Sequence, residues 1–440
     1  MNIAPGGSGH ILIGDDEAQF ALPECRFLGE LRPMETEELT SPEQAVFEGL
    51  ARPIGLRGGL LDTVSGHHRV CIVIPDHTRH AGEQHLLPPL IAGLESRGVP
   101  DARIALLIGC GTHRPSRPGE IAAKIGPELY RRLSASGSIH QHNCDDTAAI
   151  VQIGVTSRGT PVQFHRLAVE ADRTILLGGI VPHYFAGFGG GRKTALPGIS
   201  SRETIARNHS LNLDPDADRI NPAVQIGALA GNPVAEDMAE AARQLRPLGI
   251  VNSVMNRRRR IAAVFAGDVD EAFAAGCAFA GRQFFVELPA KADLVIGGAG
   301  PALDWVQSHK CLYNTHRALK DNGVKLIVAN CPEGIGSAVF EEWLSLRDPA
   351  RVLARLRTDA EINGQTAYST LTRGRDTVLV TQLPPDRVAL LNMIPAANLE
   401  QGMAIAMDLL RQRGIKRPDL LLLPDARYTV PMPAECRVIW

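Results

Sequence analysis

The 440-residue chain lacks several features that would place it in a specialised class of protein. It has no apolar run of the ~18 residues that a membrane span needs. Its 46 basic and 48 acidic residues leave a formal charge of −2, which gives no field to attract a nucleic-acid backbone. Its eight cysteines are scattered without a C-x-x-C pair, which disfavours a disulfide framework and a thiolate zinc site. The sequence starts with no basic region followed by an apolar stretch, so the cytoplasm is the expected location.

Short apolar runs alternate with helical patterns, which is typical of an α/β protein built from βα units. Six runs are each predicted to be a strand: 70–75, 104–109, 174–180, 294–298, 324–329 and 387–391. Apolar spacing predicts helices over 85–96 and 119–133. A change of composition near the basic stretch 257–260 and the alanine-rich segment 271–279 predicts two α/β domains, an N-terminal one over 1–275 and a C-terminal one over 285–440.

Polar and ionisable residues directly follow the first three predicted strands. Asp76 and Arg79 follow the first strand, His113 the second and His183 the third. Parallel strands present these loops at one edge of the sheet, where open α/β sheets bind ligands. Two imidazoles on opposite sides of a carbon would serve proton transfer at both of its faces, so His113 and His183 are a candidate acid/base pair. The alternative for each histidine taken alone is a structural role.

A glycine-rich segment follows His183. Gly187, Gly189, Gly190 and Gly191 precede Lys193, and such a loop brings backbone N–H groups close to an anion. This arrangement is similar to a phosphate cradle, although it matches the Walker A order only loosely. The alternative is a tight structural loop with the lysine in solvent.

Two other sets of residues suggest ligand binding. His209 ends the segment 201–209, in a loop or loop-to-helix setting, and an imidazole is a donor for nickel, copper or zinc. Gln307 and Lys310 are three residues apart and so project from one face of a second predicted helix. Together with Arg79 they are expected to hold a carboxylate, the arginine by a bidentate fork and the lysine as a point charge. The alternative is a solvated helix start.

The ordered motifs resemble the lactate racemase family that uses the nickel-pincer nucleotide, and the resemblance covers most of the chain. It rests on the residues at 76–79, 111–115, 183–198, 208–209, 231–234, 297–298, 307, 310, 333–336 and 424–426. The resemblance implies two α/β domains with the cofactor in a cleft between them. It also implies that Lys193 forms a thioamide-type covalent link to the cofactor and that His209 is the protein ligand to nickel.

The resemblance assigns the remaining candidate residues as well. The implied acid/base pair is His113 and His183. The resemblance implies that the cofactor contacts Gly189, Gly190, Gly191 and Asp76. It implies that the substrate carboxylate binds to Arg79, Gln307 and Lys310. The implied reaction is racemisation or epimerisation of a 2-hydroxy carboxylic acid by reversible hydride transfer. The expected partners are this small-molecule substrate and the enzymes of cofactor biosynthesis, with no nucleic acid and no membrane.

Two other functions stay open at this point. One is a metal-dependent hydrolase or lyase in which His113, His183 and His209 bind zinc, and the other is a nucleotide-cofactor-binding protein without turnover. The substrate is open too, because Val306 stands where members of the family that act on lactate often carry a tyrosine. With Trp305 and His309 expected beside the substrate, we predict a side chain that is longer or more polar than that of lactate.

Overall fold

The computed structural model describes residues 2–3, 7–14 and 16–433 of the chain. The strands are β1 (Asn2–Ile3), β2 (Ser8–Ile13), β3 (Asp16–Ala21), β4 (Cys25–Glu30), β5 (Val70–Pro75), β6 (Ile104–Gly109), β7 (Ile139–Gln141), β8 (Ile150–Val155), β9 (Pro161–His165), β10 (Arg173–Gly179), β11 (Pro182–His183), β12 (Gly187–Phe188), β13 (Gly249–Met255), β14 (Ile261–Gly267), β15 (Phe285–Leu288), β16 (Ala292–Gly298), β17 (Leu319–Val328), β18 (Thr377–Val380), β19 (Ile394–Ala396), β20 (Asp419–Leu423) and β21 (Val430–Pro433). The helices are α1 (Pro42–Ala51), α2 (Glu83–Glu95), α3 (Pro118–Ile125), α4 (Pro127–Ala135), α5 (Arg166–Val169), α6 (Arg192–Ala195), α7 (Arg202–Ser210), α8 (Pro233–Gln244), α9 (Glu271–Phe284), α10 (Trp305–Arg317), α11 (Ala338–Ser345), α12 (Pro349–Leu356), α13 (Ile362–Gly374), α14 (Pro385–Leu390) and α15 (Leu399–Gln412).

The chain forms two compact units. The central unit comprises Glu35–Pro215 and Ile220–Arg282, and the terminal unit comprises the described parts of Met1–Met34, Asp216–Arg219 and Gln283–Arg437. The first 34 residues therefore belong with the C-terminal part of the chain, whereas the sequence analysis expects contiguous domains. The difference arises because β4 pairs in parallel with β20, and no local pattern in the sequence reveals a pairing over that separation.

The sheet of the central unit has the strand order β14-β13-β10-β5-β6-β7. All of its neighbouring strands pair in parallel except β13 and β14. From β5 the chain continues to β6 and β7 on one side, while β10 leads to β13 on the other side. The strand order thus reverses between β5 and β10, and open α/β sheets bind ligands at such a point, beyond the carboxyl ends of the strands.

The sheet of the terminal unit has the order β1-β4-β20-β16-β17-β18-β19 and is parallel except for β1. Here the order reverses between β16 and β20. The loop after β16 leads into α10, whose first turn is capped by Asp304. The two candidate carboxylate ligands of this unit, Gln307 and Lys310, therefore follow a switch point as well.

The expected α/β class is confirmed, and five of the six predicted strands are present. The prediction of a strand over 387–391 is wrong, because Pro385–Leu390 is the helix α14. A short apolar run fits either structure, and Pro385 at the first helical position presets a helical φ. The helix predicted over 119–133 is divided into α3 and α4 at Gly126, which has a φ of 88° and is followed by Pro127.

Buried strands give the loops a rigid base. In β6, for example, Leu106, Leu107 and Ile108 are fully buried on alternate faces of the sheet. Burial of each such side chain contributes about 1.5–3 kcal/mol relative to exposure. Over the described residues, no helix is long and apolar enough to cross a membrane.

Candidate active site

A histidine and an aspartate pair at the carboxyl end of the central sheet. Asp76 follows β5 and His113 follows the neighbouring strand β6. The His113 Nδ1 atom lies 2.6 Å from Asp76 Oδ2, and the imidazole is 41% exposed whereas the carboxylate is 2% exposed. An ionised carboxylate only accepts hydrogen bonds, so Nδ1 carries the proton and Nε2 is the nitrogen that can accept another.

The environment of Asp76 keeps its carboxylate ionised. Burial raises the pKa of Asp76, but the hydrogen bond and charge of His113, the Thr78 hydroxyl and the charge of Arg79 together hold that pKa well below its usual range. The hydroxyl and the backbone N–H of Thr78 donate to Asp76 Oδ1 at 2.7 and 3.1 Å. Both carboxylate oxygens are thus occupied by neighbouring residues of the protein. The expectation that Asp76 lies near a cofactor stays a prediction, and its contacts here are those of a partner of His113.

His183 and Lys193 form a second pair, beyond β10. Strands β11 and β12 make a short antiparallel hairpin in which His183 pairs with Gly187. The Lys193 Nζ atom lies 3.0 Å from His183 Nε2 and 4.8 Å from the centre of the Phe185 ring. The His183 ring stacks on Tyr184 at 5.1 Å and meets Phe185 edge-on at 4.5 Å. The predicted lysine and the predicted acid/base histidine are therefore in direct contact.

In the glycine loop, packing requires glycine at two of the three consecutive positions 189–191. Gly190 and Gly191 have φ angles of 80° and 45°. A Cβ atom would lie 2.8 Å from the Gly179 carbonyl oxygen at the first position and 2.8 Å from the Phe273 ring at the second. Only glycine fits there without rearrangement. At Gly189 a Cβ atom would meet nothing closer than 3.5 Å, so packing does not require glycine at that position.

His209 lies in the last turn of α7 and is fully buried. Its ring meets Phe185 edge-on at 4.9 Å, so His183, Lys193 and His209 all contact the same aromatic ring. Burial and, to a smaller extent, the charge of Lys193 lower the pKa of His209 to about 3. The imidazole is therefore neutral at physiological pH, which is the form that binds a metal ion.

The three imidazoles of the zinc alternative do not come together. Within the described part of the chain, no three His, Cys, Asp or Glu side chains form a group that could hold a metal ion. His113 follows β6, whereas His183 and His209 lie around Phe185. His113, His183 and His209 therefore do not form the three-histidine zinc site that the hydrolase alternative requires.

The candidate carboxylate ligands lie in both units. Arg79 is exposed in the central unit, and its Nη1 donates to Thr78 Oγ1 at 3.1 Å, next to Asp76. Gln307 and Lys310 are half-buried in the first turns of α10 in the terminal unit. The Asp304 side chain accepts from the Gln307 N–H at 2.7 Å and fixes the start of that helix.

The expectation that Trp305 and His309 face the substrate is wrong. Both side chains are buried against α13 within the terminal unit. Trp305 Nε1 donates to Thr370 Oγ1 at 3.3 Å, and His309 Nε2 lies 2.8 Å from Ser369 Oγ. Residues four apart share one helix face, and that face of α10 anchors the helix.

Two further residues of the site were not singled out by the sequence analysis. Thr78 binds the Asp76 carboxylate, and a hydroxyl two residues after an aspartate is a recognisable turn pattern. Phe185 is the ring on which the second cluster packs, but an aromatic residue in an apolar stretch carries no signal that distinguishes such a role from ordinary packing.

Comparison with known proteins shows which family the chain is similar to. A family description for the lactate racemase N-terminal domain matches residues 13–220. The lactate racemase of Thermoanaerobacterium thermosaccharolyticum is 32% identical over 375 residues, which cover 84% of this chain and 82% of the relative. That of Lactiplantibacillus plantarum is 32% identical over 376 residues, which cover 82% of this chain and 85% of the relative.

A solved structure is similar over nearly the whole chain. The lactate racemase apoprotein from Thermoanaerobacterium thermosaccharolyticum superposes with a TM-score of 0.86 at 29% sequence identity, covering 98% of this chain and 100% of that one. The similarity includes the sequence stretches that carry Asp76, His113, His183, Lys193 and His209 in the matched N-terminal region. The chain therefore belongs to the lactate racemase family and is an isomerase of the racemase type.

Proposed function

We propose that the protein inverts C2 of a 2-hydroxy carboxylic acid, with His113 and His183 as its acid/base pair. The observation that carries the proposal is the position of the two imidazoles, which follow β6 and β10 on either side of β5. Neighbouring strands are about 4.8 Å apart, so the two loops start roughly 10 Å from each other. A small substrate carbon between them would have one base on each side.

The proton chemistry proposed for His113 follows from its hydrogen bond to Asp76. His113 Nε2 takes the hydroxyl proton of one enantiomer, and the buried Asp76 carboxylate stabilises the imidazolium that forms. His183 performs the same task for the other enantiomer, because inversion interchanges the positions of the hydroxyl group and the hydrogen on C2. In one turnover His113 gains the hydroxyl proton of the substrate and His183, which starts protonated, donates one to the hydroxyl of the product. The total number of protons on the pair is unchanged, and one proton passes back from His113 to His183 before the next turnover in the same direction.

The residues around Phe185 fit the nickel-pincer nucleotide. Lys193 offers an amine for the covalent link, Gly189 leaves room beside the loop, and the neutral imidazole of His209 is a donor suited to nickel. A single protein imidazole is adequate where the other donors belong to the bound group. When bound, this group would supply a hydride acceptor for C2, so the protein itself would need no redox residue. Supply by cofactor biosynthesis enzymes, and the cytoplasm as the location, are part of the same proposal.

Arg79, Gln307 and Lys310 are the proposed ligands of the substrate carboxylate. Two cationic groups and an amide suit a planar anion, and a carboxylate held at several points stays fixed while C2 becomes planar. The relatives are lactate racemases, which makes lactate the first substrate to test. Because the side chains of Trp305 and His309 pack against α13, the expectation that the substrate has a longer side chain than lactate now depends on Val306 alone.

The test is a panel of single-enantiomer 2-hydroxy acids with protein produced alongside the cofactor-making enzymes, followed by chiral chromatography. We expect inversion of at least one acid, with loss of inversion in His113→Ala and His183→Ala. If no acid is inverted by protein that carries nickel and the covalent adduct, the alternative of a cofactor-binding protein without turnover is favoured.

A further inference from the structure

A buried ion pair contacts the backbone of the loop between β5 and α2. Lys124 on α3 places its Nζ atom 2.5 Å from Oε1 of Glu83, the first residue of α2, and the two side chains are 5% and 2% exposed. The same Nζ donates to the backbone carbonyl of Arg79 at 2.6 Å. Glu83 Oε2 accepts from the Ala81 N–H at 3.2 Å. Lys124 and Glu83 thus bind two backbone groups of the loop that carries Asp76.

Stability of the fold alone does not account for this pair. The cost of removing two charges from water offsets much of their attraction, and apolar side chains of similar volume often stabilise a buried position equally well. An apolar pair, however, has no donor for the Arg79 carbonyl and no acceptor for the Ala81 N–H. What the ion pair provides beyond packing is a fixed direction for these two groups.

A continuous series of hydrogen bonds joins this loop to the acid/base histidine. Arg79 Nη1 donates to Thr78 Oγ1 at 3.1 Å, and Thr78 Oγ1 donates to Asp76 Oδ1 at 2.7 Å. Asp76 Oδ2 in turn accepts from His113 Nδ1 at 2.6 Å. A shift of the Arg79 backbone would therefore displace the Arg79 guanidinium most and His113, at the other end of the series, least.

We infer that Lys124 is a positioning residue for the reaction, which acts by fixing the backbone of Arg79 so that its guanidinium meets the substrate carboxylate. The inference rests on the proposed function, in which Arg79 binds that carboxylate. The loop has a second anchor, because Ser253 Oγ donates to the Ala81 carbonyl at 2.6 Å. Loss of Lys124 is therefore expected to loosen the segment 76–82 without detaching it.

The test compares two variants of the pair with a matched control in the same unit. Lys124→Met removes the donor to the Arg79 carbonyl, but it also leaves the Glu83 carboxylate buried without a cation, which is destabilising. The double variant Lys124→Met/Glu83→Gln is therefore made as well, because it removes both charges together. The control is Arg132→Met, which breaks a bidentate pair with Asp101 and an ion pair with Glu95, the last residue of α2. Both partners lie away from the segment 76–82, and Asp101 precedes the amino end of β6.

Two readouts are taken from each full-length protein. Hydrogen exchange of the segment 76–82 is measured without substrate, and KM and kcat are measured on the 2-hydroxy acid that wild-type protein inverts best. A charge-assisted hydrogen bond corresponds to about tenfold or more in an equilibrium constant. We expect exchange to rise about tenfold in 76–82 alone and KM to rise about tenfold, with kcat within about threefold of wild type. The control should leave both readouts unchanged.

Several results would overturn the inference. The inference fails if hydrogen exchange in 76–82 of Lys124→Met equals that of wild type. It also fails if exchange is faster but KM is unchanged, or if Arg132→Met shows the same changes. If Lys124→Met is unfolded by circular dichroism, the double variant decides by the same criteria. If wild-type protein inverts no acid, the proposed function fails by itself, and the exchange result alone then decides whether Lys124 holds the loop.

Discussion

Asp76→Asn tests the role of the His113 pair with almost no change of shape. The Thr78 N–H can only donate, so the amide oxygen of the asparagine takes the position of Oδ1, where it accepts from that group. The amide nitrogen then takes the position of Oδ2, 2.6 Å from His113 Nδ1 in the wild type. Because the amide nitrogen donates, Nδ1 must accept, and the proton moves to Nε2. The imidazole is then held in the tautomer that cannot take the hydroxyl proton of the substrate.

The expected loss is that of one general base. Proton transfer by a positioned side chain contributes about 10²- to 10⁴-fold, so kcat for inversion should fall by that range while KM stays within about threefold. The variant should also lose about 1.5–3 kcal/mol of unfolding free energy at pH 7, the typical contribution of a hydrogen bond to a charged group. The folded-state pKa of Asp76 lies below its unfolded value, so its stabilisation is present above about pH 4 and is lost as the pH falls toward the folded pKa.

The assay follows inversion of one enantiomer by chiral chromatography and unfolding by urea at pH 7 and below pH 4. Asp101→Asn, at the opposite edge of the same sheet, is the control and should retain wild-type kcat. The stability difference between Asp76→Asn and wild type should shrink at the lower pH. A kcat for Asp76→Asn within about threefold of wild type would refute the assignment of His113 as a base oriented by Asp76.

Four further outcomes follow from the same geometry. His113→Ala and His183→Ala should each reduce inversion at least about 100-fold by chiral chromatography, and near-normal turnover in either would remove that residue from the pair. Lys193→Ala should lack the mass of the covalent adduct, and an unmodified Lys193 in active, nickel-loaded protein would contradict the link. His209→Ala should bind less nickel by elemental analysis, so an unchanged nickel content would rule out its role as ligand. His309→Ala should lower the unfolding free energy by about 1–3 kcal/mol without reordering the preferred substrates, and a changed order would show that His309 faces the substrate after all.

The sequence predicts the parts of the fold that depend on local patterns. Continuous apolar runs identify strands such as Val70–Pro75 because a strand covered on both faces contains few polar residues. The position of Asp76 and His113 at one edge follows from the direction of parallel strands. The pairing of β4 with β20, by contrast, joins segments almost 400 residues apart, and only the complete fold brings them together.

Contacts between residues that are far apart in the sequence cannot be predicted from local patterns, for the same reason. Lys124 and Glu83 are 41 positions apart and carry no motif, so their burial as a pair is visible only in three dimensions. The burial of Trp305 and His309, by contrast, is predictable from the sequence, because they form an i, i+4, i+7 series with the buried Leu312. That spacing predicts a packed helix face rather than a ligand surface.

The central claim is that inversion proceeds by movement of a hydride that never exchanges with water. The most direct test is inversion of a single-enantiomer 2-hydroxy acid carrying deuterium at C2, in ordinary water, with mass analysis of both enantiomers of the product mixture. The account predicts that the opposite enantiomer forms and keeps its C2 deuterium, because the hydrogen removed from C2 would return to it without passing through the solvent. Inversion with loss of deuterium to the solvent would show proton abstraction at C2 instead and would contradict it.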